Sequence, residues 1–488
     1  MTGVRDPRSP VLVGVGTASA DAEAVELMTI AAEAALADAG GRGLPGAVDR
    51  VIVPQGSWTY PDPGRLVASR IGAKQATTHL VELGIPQQSL INEALAAILS
   101  GASDVAVVVG GESKRWARDR EKAGLPPTET AQPGAEPDVV RRRSGPLLEP
   151  VEVAHRLWDP VQQYAMIDNA LRAADGRTIA EHRQEIAGLW SRFSHVAAAN
   201  PEAAFGRALD ASWIATPSAN NRPLAFPYNK WHSTQWTVNQ AAALVVCSVE
   251  VAERLGIPTD RWVHPRVGLE SSHAVSVLCR EHIGGWPAME VLGGTAAAWL
   301  GRPIAAVDVV EVYSCFPAAV RVQQRALGLD PGGTPTVTGG MAFAGGPFNN
   351  FVLQSTAAVA RVLRGDPELL GAVTTVSGLL TKPGLAVWSC RPDGRPPLLG
   401  DLAYEVESVT GVVDAVATLD GYDGGGTVAT YTVTYEGMDP NRVVAVCDTD
   451  DGRRCVAISA DPDLTAFSCA EELIGTRVRI GSGTFQPD

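Results

Sequence analysis

Short apolar runs and longer amphipathic stretches alternate along the N-terminal part of the chain. VLVGVG (Val11 to Gly16) predicts a buried strand, and ADAEAVELMTIAAEAALADAG predicts a helix that stops at Gly40. QSLINEALAAILSG predicts a second helix, stopped at Gly101, and DVAVVVGG the strand after it. Glycine suits these stops because a residue without Cβ enters the left-handed conformation at no steric cost. Uninterrupted apolar strands between helices predict an α/β frame with parallel strands buried on both faces.

From about Ala117 to Ala225 the pattern changes, and prolines, arginines and other charged residues accumulate. DPVQQYAMIDNALRAADG and IAEHRQEIAGLWSRFSHVAAANP predict helices with no strand between them. This stretch, 117–225, reads as a mostly helical excursion from the frame. QAAALVVCSVEVAERLGIP then resumes the frame with a strand and a helix, so 226–262 returns to the unit formed by 1–116.

A second α/β half spans 263–395. AAVDVVEVY is its strand, SCFPAAVRVQQRALGLDPGG a helix, FVLQSTAAVARVLRGDP a second helix, and GAVTTVSG a further strand. The halves correspond: IPQQ before one apolar helix and GPFNN before the other each set a proline and two amides at the helix start. A duplicated βαβ design follows. Beyond the proline-rich RPDGRPPLLGD linker, 396–488 alternates differently. GTVATYTVTYEG and TRVRIGSGTF predict strands, and RVVAVCDTDDGRRCVAI a hairpin around Asp-Asp-Gly. These residues are expected to form a small all-β, barrel-like domain.

Composition narrows the function classes. The 488 residues suit two or three domains, and 45% hydrophobic with 19% charged residues describes a large core. A net charge of −14 argues against nucleic acid as the main partner. The basic run at Arg141 lies in a polar stretch and reads as a solvated loop. No apolar stretch reaches the ~18 residues a membrane span requires, and the N-terminus lacks a signal-peptide core. The seven cysteines are scattered without a C-x-x-C pair, which fits reduced thiols in the cytoplasm and offers no metal site. HExxH, GxSxG, GxGxxG and the P-loop are all missing.

Four segments, in this order and spacing, resemble a thiolase over about residues 8 to 395: GASDVAVVVGGES, FPYNKWHSTQWTVNQAAALVVCS, DVVEVYSCFP and TVTGGMAFAGGP. With its extra C-terminal β-domain the chain is most similar to the thiolase-like protein type 1 group. The resemblance implies duplicated thiolase-type βαβαβαββ halves, 117–225 as the inserted loop domain, and an OB-like barrel for 396–488.

It also implies where chemistry should sit. Thiolases use a cysteine thiolate, whose pKa a helix N-terminus helps to lower, together with an activating base. The nucleophile's position falls at Gly84 or Ile85. The Gly-His-Pro triplet reads Gly345-Gly346-Pro347, the Asn-Glu-Ala-Phe motif reads Tyr313-Ser314-Cys315-Phe316, and the late Cys-x-Gly reads Ser377-Gly378. Nucleophile and histidine are thus both replaced.

The expected function is acyl-CoA or related thioester binding in lipid metabolism without thiolytic activity, with CoA thioester as ligand and no other cofactor. Gly84, Gln87, Gln88, His232, Phe316, Gly345, Gly346, Asn349 and Asn350 are the candidate binding residues. The amides serve either as neutral hydrogen-bond groups or as N-caps, and Gly345 and Gly346 let a ligand approach the backbone. A lyase or acyltransferase of altered chemistry would use Tyr313 and Cys315. A scaffold docking through the β-domain is the third reading. Monomer and homodimer both stay open.

Overall fold

The computed structural model describes residues 6–155, 157–416 and 422–488. In the first half the strands are β1 (Pro10–Ala18), β2 (Arg50–Pro54), β3 (Thr77–Val81), β4 (Val105–Ser113) and β5 (Val139–Arg141). A short hairpin, β6 (Pro223–Ala225) and β7 (Tyr228–Asn229), precedes β8 (Asn239–Ser248). The second half holds β9 (His264–Glu270), β10 (Val309–Glu311), β11 (Leu370–Ser377), β12 (Lys382–Ser389) and β13 (Leu398–Asp401). The C-terminal region follows with β14 (Ala415–Val416), β15 (Gly424–Glu436), β16 (Asp439–Thr449), β17 (Arg454–Ser459), β18 (Arg477–Gly481) and β19 (Thr484–Pro487).

The first sheet runs β1-β8-β4-β2-β3-β5 and the second β10-β11-β12-β9-β13. Both are mixed, which corrects the all-parallel expectation: β8 is antiparallel to β1 and to β4, and β12 to β11 and to β9. β4 and β8 are nevertheless buried at every position. An apolar run reports what lies above and below a strand, and says nothing of its direction.

The helices Gln87–Ser100 and Phe351–Gly365 each touch strands of both sheets, so they form a layer between them. Ala24–Ala39 covers the outside of the first sheet and Pro287–Leu300 the outside of the second. Gly40 (φ 70°) and Gly101 (φ 77°) end their helices in the left-handed conformation, as their positions in the sequence predict.

The excursion contains the two expected helices. Asp159 caps Pro160–Ala174 by accepting from the Val161 N–H, and Thr178 with Glu181 forms a capping box on Ile179–Ala199. The excursion also supplies β5 to the edge of the first sheet and β6 to the C-terminal sheet.

In the C-terminal region β15, β16, β17, β19 and β18 pair in a ring that closes back on β15, with β17 and β19 parallel. Val428, Tyr431, Val443, Cys447, Val478 and Phe485 fill it. The helix Pro462–Ala470 packs against β15 and β16. TRVRIGSGTF, read as one strand, is the β18–β19 hairpin, turning at Ser482 (φ 50°) and Gly483 (φ 77°). The end of the expected linker is β13, added parallel to β9.

The barrel is bonded to the body at buried positions. Asn169 Nδ2 donates to the carbonyls of Tyr431 (2.9 Å) and Phe226 (3.3 Å), and Thr430 donates to the Met166 carbonyl at 2.6 Å. Phe226 N–H reaches the Val433 carbonyl at 2.9 Å. The Arg172 guanidinium, 2% exposed, forks onto Glu472 at 2.6 and 3.0 Å. Removing the Asn169 amide takes a donor from two carbonyls in a dry interface. Asn169→Ala is therefore expected to lower unfolding stability by about 2 kcal/mol in urea titration; a loss below about 0.5 kcal/mol would show that the barrel is held elsewhere.

Candidate functional site

Glu311, at the end of β10, organises the glycine-rich loop that begins at Thr336. Its fully buried carboxylate accepts from the backbone N–H groups of Val337 (2.6 Å) and Thr338 (3.0 Å) and from the hydroxyls of Thr336 (3.0 Å) and Thr338 (2.8 Å). Burial outweighs these donors and pushes its pKa up to about 7. The chain then passes Tyr313, whose N–H is held by Thr374 Oγ1 at 2.8 Å, and Ser314, whose hydroxyl accepts from Met341 N–H at 3.1 Å. Thr234 and Gln235 stitch a second loop over this one, by contacts to the carbonyls of Cys315 (3.0 Å) and Met341 (3.1 Å).

These loops border a cavity of about 910 Å³. Tyr164, Tyr313, Cys315, Phe316, Met341 and Val376 are among its buried lining residues. Tyr164 stacks on Phe316 at 4.5 Å and lies near the Cys315 thiol. Burial pushes the Cys315 pKa up to about 12 and raises both tyrosines above the usual phenol range. All three groups are neutral at physiological pH. The turn from Ser377 to Leu379 closes one side; the buried Arg280 fixes it through the Leu379 carbonyl at 2.9 Å, and Leu380 sits at φ 55°.

Of the residues singled out in the sequence, Gly84, Tyr313, Cys315, Phe316, Gly346 and Asn349 line this cavity together. Gln87, Gln88, His232, Gly345 and Asn350 do not. Gln87 Oε1 accepts from Val352 N–H at 2.9 Å, its Nε2 donates to Asn349 Oδ1 at 3.3 Å, and the side chain is thereby occupied inside the protein. Gln88 bonds Asn92 at 2.9 Å, one helical turn along. Asn350 is 1% exposed behind Gly110, where an added Cβ would lie 2.5 Å from Asn350 Oδ1. Gly345 (φ 100°) packs on Gln240, whose amide donates to the Ala344 carbonyl at 2.8 Å. His232 is fully buried on the far side of Tyr228, accepts from Asn229 N–H at 3.0 Å, and burial lowers its pKa to about 4. It is a neutral packing residue.

Much of the lining lay beyond sequence reasoning. Tyr164 and Trp158 come from the excursion, and Thr434, Tyr435, Asn441 and Arg442 from the barrel. Lys382 was also missed. Its side chain is 7% exposed, its ammonium donates to the Gly84 carbonyl, and burial lowers its pKa. The only sequence signal for it was a lysine at the start of an otherwise apolar strand.

The comparisons follow this geometry. The family described as "Thiolase-like protein type 1 additional C-terminal domain" matches residues 405–484. A monomeric SCP2-thiolase-like protein type 1 from Mycobacterium smegmatis aligns over 99% of this chain and 99% of its own, at 29% identity and TM-score 0.83. The chain is similar to the type 1 thiolase-like proteins over its whole length. Human mitochondrial 3-ketoacyl-CoA thiolase (17% identity, 79% of this chain, 99% of its own, TM-score 0.56) shares the fold with this thiolase-like protein. So does an Ltp2-ChsH2(DUF35) aldolase (19%, 79% and 99%, 0.59). No curated protein sequence matches.

Two outcomes follow for the thiolase-like protein. Glu311, with its pKa raised to about 7, keeps a proton in the folded state that the unfolded chain releases near 4.5. Its contribution to stability therefore falls as pH rises from about 4.5 to 7 and is flat above. Glu311→Gln should remove that share of the decline in urea unfolding between pH 5 and 8; an unchanged slope would mean the carboxylate is already ionised at pH 5. The Cys315 thiol, neutral and buried, should resist iodoacetamide at pH 7.5 while the partly exposed Cys279, Cys390 and Cys469 label first in a peptide map. Early labelling of Cys315 would mark it as an activated thiolate.

Proposed function

We propose that the protein binds an acyl-CoA or related thioester in this cavity without thiolytic cleavage, as a carrier, sensor or partner subunit in cytoplasmic lipid metabolism. The observation that carries the reading is that both helix starts present glycine where thiolases keep their reactive side chains, and neighbours fill the space. A Cβ at Gly84 would lie 2.5 Å from Leu147 Cδ2, in a backbone at φ 98°. A Cβ at Gly346 would lie 2.2 Å from Thr234 Cγ2. Thiolysis requires a thiolate and a base, and the one cysteine in the cavity has its pKa moved the wrong way. The cavity's volume suits a small-molecule ligand, and human mitochondrial 3-ketoacyl-CoA thiolase, which shares the fold, has been solved in complex with CoA.

The barrel's strand order, with its parallel closure of β17 on β19 and the helix Pro462–Ala470 between β17 and β18, supports an OB-like assignment. Its bonded interface with the body favours a fixed wall over a free docking module. One observation favours a second reading: Tyr164 and Tyr313 both line the cavity near Cys315, where phenols could serve as acids in a carbon–carbon lyase. Turnover of a β-hydroxyacyl thioester that disappears in Tyr313→Phe would establish it.

Calorimetric titration with CoA, acetyl-CoA and a long-chain acyl-CoA tests the first reading. Micromolar binding is expected, weakened about tenfold or more in Leu379→Trp, which fills the cavity from its turn, with no acetyl-CoA released from a 3-ketoacyl-CoA plus CoA. Absent binding, or binding indifferent to Leu379→Trp, would remove the ligand from this cavity.

A further inference from the structure

The mouth of the cavity carries two guanidiniums that no carboxylate neutralises. Arg222 immediately precedes β6, and Arg442 lies on β16. Between them runs β15, whose Thr434 is in register with Ala225 on one side and with Arg442 on the other. Arg222, Thr434, Tyr435, Asn441 and Arg442 line one edge of the cavity. Three other arginines of the body and barrel are committed: Arg172 to Glu472, Arg321 to Asp168 and Asp175, Arg454 to Asp448. Arg222 and Arg442 make no ion pair among the described residues, and Arg442 Nε is buried without a hydrogen-bond partner. Asp159, a carboxylate in the lining, is turned to the Val161 N–H of its own helix at 3.2 Å. On a chain of net charge −14 this is a local positive mouth above an aromatic and aliphatic interior.

We propose that Arg222 and Arg442 form a phosphate-binding site built jointly by the excursion and the C-terminal barrel. It would take the phosphorylated end of an amphiphilic ligand whose acyl part lies among Tyr164, Phe316, Met341, Val376 and Leu379. Guanidinium pairs suit this because each presents a planar fork of donors that matches phosphate oxygens two at a time. Arg442, half-buried with its Nε unsatisfied, is also expensive to keep unless an anion arrives to satisfy it, while the exposed Arg222 is free to close on that anion. The inference rests on the thioester reading above and deepens it: the barrel, absent from the thiolase halves, recognises the phosphates of CoA.

The experiment compares decanoyl-CoA with decanoyl-pantetheine, which carries the same acyl thioester without phosphates, by calorimetry on the full chain. The wild type should bind decanoyl-CoA about tenfold or more tightly than decanoyl-pantetheine, and the preference should weaken with salt. Arg222→Ala with Arg442→Ala should abolish the preference while leaving decanoyl-pantetheine affinity unchanged, which also shows that the variant is folded. Arg442→Lys should retain part of the preference. Arg453→Ala, at the opposite end of the β16–β17 hairpin and paired to Asp451 at 2.6 Å, should alter nothing. A preference that survives the double substitution, or a wild type that binds both ligands equally, overturns the phosphate site and leaves the thioester reading standing. No binding of either ligand to the wild type overturns both.

Discussion

Two helices enclosed between two sheets must find partners for their first N–H groups inside the protein. A helix leaves those donors unsatisfied by its own hydrogen bonds, and no water reaches this layer to serve them. Gln87, in the first turn of one helix, answers the problem for the other: its carbonyl takes the Val352 N–H and its amide turns to Asn349. Asn349 continues the chain to the Gln55 carbonyl at 3.0 Å. One connected set of amides therefore locks the two halves at the place where both helices begin. The glycines follow from the same closeness. At Gly345 the chain reaches a φ of 100° against Gln240, a position that a side chain would deny. What the sequence suggests is an open pair of helix starts is in fact a bonded junction, and the cavity lies beside it.

Around that junction the buried polar groups divide the labour. Glu311 holds the glycine-rich loop, and Arg280 holds the turn before β12. A third cluster, Asp168 with Arg321 at 3.0 Å and His182 at 3.4 Å, joins the excursion to the helix Pro317–Leu327. His182 and Arg321 hold Asp168 at a pKa of about 2 against the penalty of complete burial. Tyr228, against the same cluster, receives the Ala318 N–H at 3.1 Å and stacks on Phe316. The excursion is in this way fixed to the cavity floor at one end and to the barrel at Asn169 and Arg172 at the other. Its helix Pro160–Ala174 carries both connections, so cavity shape and barrel position are mechanically linked.

The frame was legible because its signals are local. Gly40 and Gly101 stop helices by backbone freedom alone, and the apolar runs of β4 and β8 need only be buried. Strand direction was not legible, since β8 looks the same run either way. The hairpin hidden in TRVRIGSGTF was read as one strand although Ser482-Gly483 is a turn signal, because its arms are only five and four residues long. At the site, Tyr313, Cys315 and Gly346 could be named because they stand in contiguous motifs. Tyr164 and Arg442 could not, because they reach the same cavity from positions far apart in the chain through helix and strand packing. Gln87 and Asn350 stand at the helix starts, but the Gln87 carbonyl is taken by the Val352 N–H and Asn350 is buried behind Gly110.

The charge distribution bears on what such a cavity can do. Catalysis of acyl transfer needs an ion at the reacting centre, and the groups around the inner cavity are all driven to neutrality. Burial keeps the Cys315 thiol and both phenols protonated. Lys382, whose ammonium stands at the Gly84 carbonyl, has its charge weakened by the same burial. Among the described residues lining the cavity, Arg222 and Arg442 carry charge at the mouth without an ion pair. A neutral interior with hydroxyl and thiol donors stabilises a polar group that stays as it is, such as a thioester carbonyl, better than a developing oxyanion. A charged rim suits the soluble, phosphorylated end of such a molecule. Holding a thioester needs both features, whereas cleaving one needs the reactive ion that this fold's glycines and buried thiol leave out.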